Sequence, residues 1–209
     1  MSKHVSRAAG VLCTTLLAAS VATQTVAAQT AAPPRAHYDV RSPAMPHVGF
    51  VLTSADVRAG GTLTKKQEAN TFGCNGQNVS PALSWTGAPA GTKSYAVTVF
   101  DPDAPTGSGF WHWVIYNIPA STTSLGAGAG SQGGMLPSGA TQATTDYGAA
   151  GYGGPCPPPG DGPHRYIVTV HALKVDHVDV PAGATAAVVG FTMHANTLAT
   201  ASLTARYAR

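Results

Sequence analysis

Charge is scarce in these 209 residues. Asp, Glu, Lys and Arg together make up 10 % of the chain, well under the usual quarter. That excludes a coiled coil, a charged helical bundle and a charge-rich disordered chain. Glu68 is the only glutamate, so a glycosidase built on paired glutamates is excluded. There is no Gly-x-Ser-x-Gly elbow, no P-loop and no His-Glu-x-x-His, so the usual marks of three enzyme classes are missing. A Ser/His/Asp triad stays open, because triads are recognised by geometry, although no serine here has a local signature. Cys-x-x-Cys is also absent, and a zinc site would need imidazoles drawn from distant places. Asp101-Pro102-Asp103 offers too few oxygen ligands for calcium or magnesium. No metal and no cofactor are expected.

What is abundant is turn-forming and apolar. Hydrophobic residues reach 44 %, with 24 Gly and 16 Pro. The glycines lack a three-residue period, which excludes collagen. The composition suits a β-rich globular domain with many turns.

Residues 1–28 read as a secretory signal peptide. Lys3, His4 and Arg7 form a basic start, residues 8–22 are small or apolar, and Val26-Ala27-Ala28 offers a cleavage site before Gln29. The alternative is an uncleaved anchor, but the run is short and threonine-rich for a membrane span. The expected location is periplasmic or secreted. Removing Lys3 and Arg7 leaves ten basic against nine acidic residues. No basic cluster remains for a run of phosphates, so nucleic acid is not an expected partner. Cys74 and Cys156 are the cysteines left. In an exported chain they favour one disulfide over two buried thiols.

Residues 29–47, rich in Ala, Pro and Thr, read as a flexible lead-in to a domain at 48–209. Strands are predicted at Ala82–Trp85, Ser94–Phe100, Phe110–Ile118, Arg165–Leu173 and Ala201–Tyr207. Ser94–Phe100 is apolar on both faces, as a central strand should be. Strand alternation places Trp111 and Trp113 on one face, opposite His112. Residues 126–163 hold 12 Gly and 6 Pro. A long irregular stretch of this kind is usually functional or disordered, and Tyr147, Tyr152 and Cys156 read as its anchors. Residues 185–199 switch to a helical period, with Val188, Phe191, Ala195 and Leu198 on one face.

Polar residues gather at strand ends: Asp101, Asp103, His112, His164 and Arg165. An imidazole can pair with a phosphate oxygen, and a tight Gly/Pro loop can add amide donors. A carboxylate there could raise the histidine's basicity or meet a ligand ammonium, as in phosphoethanolamine. The structural alternatives are a turn capped by Asp101 and a hydrogen-bonded structural histidine at His112.

Asp101-Pro102-Asp103-Ala104-Pro105, followed by His112 and Asn117, resembles the first signature of the phosphatidylethanolamine-binding proteins. Gly154-Pro155-Cys156-Pro157-Pro158-Pro159-Gly160, followed by His164-Arg165-Tyr166, resembles the second. Asn78-Val79-Ser80-Pro81-Ala82-Leu83-Ser84-Trp85 and Gly107-Ser108-Gly109-Phe110-Trp111-His112-Trp113 are similar to the bacterial, Raf-kinase-inhibitor-like branch. The resemblance runs from about Phe50 to Arg209. It implies a mostly β fold with peripheral helices: a large central antiparallel sheet, a smaller second sheet and a helix layer.

It also implies a small anion pocket for phosphate or a phosphorylated headgroup. Asp101, Pro105 and His112 would form one wall, and Pro157, Pro158 and Tyr166 the other, with Gly154 giving close backbone approach. Asp103, His164 and Arg165 would be supports. A Cys74–Cys156 bridge would staple the pocket loop. Eukaryotic members of the family carry a C-terminal helix that partly closes the site. Here the pocket would be more open or covered by a second subunit, and bacterial relatives imply a homodimer. Three functions follow: binding of a small phosphorylated or anionic ligand, inhibition of a partner kinase or protease, and hydrolysis with His112 as base and Asp101 orienting it.

Overall fold

The computed structural model describes residues 48–209. The signal-peptide and lead-in readings, 1–28 and 29–47, lie outside the described residues. The elements are β1 (Val51–Thr53), β2 (Leu83–Thr86), β3 (Ser94–Asp101), β4 (Phe110–Pro119), β5 (Ser124–Leu125), β6 (Thr141–Gln142), β7 (His164–Leu173), α1 (Ala186–His194) and β8 (Thr197–Tyr207). The large sheet runs β6-β4-β3-β7-β8 and the small one β1-β2-β5, with every strand pair antiparallel.

β3 is central and buried at every position. Its sequence explains this: Tyr95, Val97 and Val99 face the small sheet, and Ala96 faces the helix. Between the sheets, Leu52, Leu83 and Trp85 pack with Trp113, Ile115, Val168 and Val170. On the far face, Ala96, Val114 and Leu173 receive Ala186, Val189 and Met193 of α1. The result is three layers: small sheet, large sheet and helix. The fold is the mostly β architecture expected.

α1 starts at Thr185, whose hydroxyl accepts the Val188 N–H. It is shorter than the expected 185–199, and the expected buried face is the wrong one. Phe191 is 84 % exposed and Val188 42 %, while Leu198 already lies in β8. Apolar residues surround this helix, so periodicity alone does not choose its inward face.

The placement of Trp111 and Trp113 on one face is also overturned. Val99 pairs with Trp113 and Phe100 with Trp111, so His112 is the extra residue of a β-bulge. Trp111 packs on Phe100, with ring centroids 4.5 Å apart, and on the helix-side cluster. Trp113 lies in the inter-sheet core. His112 shares that side, with its ring 5.1 Å from that of Tyr166. A second register shift lies between Tyr95 and Val97. There Asn117 adopts φ 59°, and its side-chain carbonyl accepts the Val178 N–H at 2.7 Å.

Candidate ligand pocket

Antiparallel pairing puts the end of β3 beside the starts of β4 and β7. Asp101, His112, His164 and Tyr166 therefore meet at one end of the large sheet, although they come from three strands. The Asp101 side chain also stops β3. Its Oδ1 accepts the N–H groups of Asp103 at 2.8 Å and Ala104 at 3.2 Å, an Asx turn. Its Oδ2 accepts His164 Nδ1–H at 2.8 Å and stands 4.0 Å from His112 Nε2.

A cavity of about 230 Å³ opens here. Of the expected ligand contacts, Asp101, Pro105, His112, Pro157, Pro158 and Tyr166 line it. Gly154 is not among the lining residues. Its close approach is to the chain behind the pocket, where an added Cβ would sit 1.9 Å from the Gln67 carbonyl oxygen. His164, expected as a support, lines the wall, and so does Cys156. Asp103 and Arg165 stand outside, joined by Nε–Oδ2 and Nη2–Oδ1 bonds of 2.8 and 2.6 Å.

The glycine-rich segment forms the back of the site. Gly153 donates its N–H to the His112 carbonyl at 2.8 Å. His112 Nδ1 returns a bond to the Gly153 carbonyl at 2.8 Å and contacts that of Gly154 at 3.1 Å. The Tyr147 hydroxyl donates to the Gly154 carbonyl at 2.6 Å, and Asn78 Oδ1 accepts the Gly154 N–H at 2.7 Å. The Cys74–Cys156 disulfide is formed. Arg209 reinforces it by donating to the carbonyls of Pro157 and Gly73 at 2.7 and 2.9 Å.

The family model described as phosphatidylethanolamine-binding protein matches residues 53–208. The chain belongs to the phosphatidylethanolamine-binding protein family. YbcL of Escherichia coli is 50 % identical over 159 residues, covering 76 % of this chain and 87 % of YbcL. YbhB of the same organism is 51 % identical over 156 residues, covering 75 % and 98 %. The crystal structure of YbcL, described as a new member of the mammalian PEBP family, superposes with a TM-score of 0.75 at 49 % identity. It covers 77 % of this chain and 99 % of YbcL.

Within this family member, burial sets the protonation of the pocket. Burial disfavours the His112 imidazolium and pulls its pKa below the ordinary value, against the Gly153 carbonyl and the Asp101 charge. Burial, and then the charge of Asp101, push the Tyr166 and Tyr147 phenols up, so both stay protonated. The Tyr166 hydroxyl is 1 % exposed as a residue and has no hydrogen-bond partner. The Asp101 carboxylate acts on it by charge and through a loose side-chain contact, short of a well-formed hydrogen bond. Among the described residues, no cluster of three His, Cys, Asp or Glu could hold a metal. No helix among them is long and apolar enough to cross a membrane.

The Arg165 hydrogen bond holds the Asp103 carboxyl down at about 2, well below the unfolded value near 4. A depressed carboxylate stabilises the fold above its unfolded pKa, and the gain is lost as pH falls from about 4 towards 2. Both side chains are about a third exposed, so screening limits the pair to about 1 kcal/mol. Asp103→Asn should cost that much at pH 6 and progressively less between pH 4 and pH 2.5. Urea unfolding at each pH checks this, and a cost independent of pH would refute it.

Three aromatic wall residues were not anticipated as such. The sequence marks Tyr147 as a loop anchor and Phe110 as a strand residue. Phe72 sits in a polar stretch with φ 51° and 68 % exposure. Phe110 and Tyr147 meet edge-to-face at 4.9 Å, and Phe72 lies 5.5 Å from Tyr147. An aromatic two residues from Cys74, and another within a glycine run, were the available signals.

Proposed function

We propose that this protein is an exported, non-catalytic binding protein whose pocket takes phosphate or the phosphate group of a small headgroup. The observation that carries this reading is the Tyr166 hydroxyl, buried at the cavity wall beside Asp101 with no well-formed hydrogen bond. A buried hydroxyl left unpaired is costly, and a ligand oxygen would satisfy it. The cavity has room for several water molecules and thus for a headgroup. Export is supported by the disulfide, which suits an oxidising compartment, and by the signal-like residues 1–28.

Binding is favoured over hydrolysis by the walls. Thr106 is the lining residue with an aliphatic hydroxyl, and that hydroxyl is donated to the Gly109 carbonyl. Three prolines contribute no N–H. A second reading, an interaction protein of the kinase- or protease-inhibitor type, is favoured by Phe72, an exposed aromatic at the pocket wall. On that reading the ligand pocket is secondary.

The test is an NMR titration with phosphate and then phosphoethanolamine. Shifts are expected at Asp101, His112 and Tyr166, and should vanish in a folded His112→Ala variant. Absence of shifts at millimolar ligand would overturn the reading.

A further inference from the structure

The donors and acceptors facing the cavity carry a finer inference, which rests on the phosphate-pocket reading. His112 Nδ1 lies 2.8 and 3.1 Å from two carbonyl oxygens. Carbonyls only accept, so Nδ1 bears the ring hydrogen. In the neutral ring Nε2 is then a bare lone pair. It faces Asp101 Oδ2 across 4.0 Å, too far for a hydrogen bond with nothing between. Two acceptors, one of them a carboxylate, thus flank one gap.

The neighbouring donors are engaged elsewhere. The backbone N–H groups of Asp103 and Ala104 go to Asp101 Oδ1. His164 Nδ1–H goes to Asp101 Oδ2, and its Nε2 lies 3.5 Å from Asp161. The Tyr147 hydroxyl goes to Gly154. Among the described residues lining the cavity, the Tyr166 hydroxyl is the buried side-chain donor without a partner. A fully deprotonated oxyanion would therefore meet two acceptors at this gap, where it needs donors. A phosphate group that keeps one proton brings the hydrogen the gap lacks.

We propose that the pocket selects the protonated, singly charged form of a phosphate group, with its P–OH between His112 Nε2 and Asp101 Oδ2 and another oxygen accepting from Tyr166, and that it rejects sulfate. Sulfate has nearly the same size and shape but carries no proton near neutral pH. No bond is made or broken, and the proton stays on the ligand.

The groups facing His112 are Asp101 on β3, His164 and Tyr166 on β7, and Asp146, Tyr147 and Tyr152 on the glycine-rich segment. Asp101 and Asp146 favour the imidazolium, but burial outweighs them and keeps the ring towards neutral. The three phenols are all shifted upward. The ligand's own second ionisation, about 6 for a phosphomonoester, then governs binding above that pH.

The test is calorimetric titration of the full chain with two matched pairs at pH 6 and pH 8: phosphate against sulfate, and phosphoethanolamine against ethanolamine O-sulfate. The two pairs also separate free phosphate from a headgroup. Each phosphate compound should bind at least about tenfold more tightly than its sulfate partner at pH 6, and phosphoethanolamine, with its second ionisation near 6, should lose roughly fiftyfold by pH 8. Asp101→Asn, which removes the carboxylate charge from the gap, should weaken the discrimination against sulfate and flatten the pH dependence. Equal phosphate and sulfate affinity in the wild type would overturn the proposal while leaving the pocket reading intact. No binding of either phosphate compound would overturn both. If Asp101→Asn does not fold, the wild-type comparison decides alone.

Discussion

Replacing both Cys74 and Cys156 by serine should lower the unfolding free energy by about 4 kcal/mol and the melting temperature by roughly 10 °C. The two sulfurs are separated by 82 residues, and closing a loop that long in the unfolded chain removes much of its entropy. The folded state retains other ties between the same segments. Arg209 still bridges Gly73 and Pro157, and the Gly76 N–H still reaches the Ala69 carbonyl while the Ala69 N–H reaches Pro155. The loss should therefore fall on stability, with phosphate affinity little changed at a temperature where the variant is folded. Urea unfolding of the oxidised protein and the double-serine variant measures the first quantity, and a titration at low temperature the second. A loss under about 1 kcal/mol would mean that the unfolded chain is already compact around these segments. A folded variant that no longer binds would make the bridge a determinant of pocket shape.

Gly154→Ala should be about as damaging, for a local reason. An added Cβ would meet the Gln67 carbonyl oxygen at 1.9 Å, the Ala69 nitrogen at 2.6 Å and the Glu68 carbonyl carbon at 2.7 Å. All three are backbone atoms, so no side chain can rotate away. The same glycine holds the Asn78, His112 and Tyr147 bonds. Forcing it outward would strain the packing and disturb buried polar partners, at about 3 kcal/mol or more. His112 would lose the carbonyls that fix its tautomer, so phosphate binding should fall with stability. Gly162→Ala is the control: no atom lies within 4 Å of its added Cβ, so its effect should stay within about 0.5 kcal/mol. Equal effects of the two alanines in urea unfolding would refute the packing argument.

The strands of the large sheet were readable because their side chains obey a local rule. Ser94–Phe100 alternates between two apolar faces, and Asp101-Pro102 supplies a stop, so the position and centrality of β3 follow from neighbours in sequence. The side of the sheet occupied by His112 does not. It depends on how β4 registers against β3, and one extra residue between Trp111 and Trp113 reverses the expected alternation for part of the strand. The helix failed for another reason: Ala186, Val188, Val189 and Phe191 are all apolar, so the direction of burial is decided by the sheet beneath it. In the pocket, Asp101, His112 and Tyr166 were found through the two motifs that resemble the family signatures. Tyr147 reaches the same cavity from a glycine-rich segment with no periodic pattern, and its partners are set by tertiary folding. Gly154 was anticipated as a point of close approach, but only the folded chain shows that the approach is to the 67–69 backbone rather than to the cavity.

The bulge in β4 also determines how this protein can be watched. Trp85 and Trp113 lie between the sheets, and Trp111 is turned to the helix side. None of the three indoles lines the cavity, whose rings are phenyl, phenol and imidazole. Indole emission, the customary optical readout of a titration, therefore observes the core of this molecule and has no direct contact with a guest in its pocket. The ring protons of Phe110, Tyr147 and Tyr166 are the native observers of occupancy.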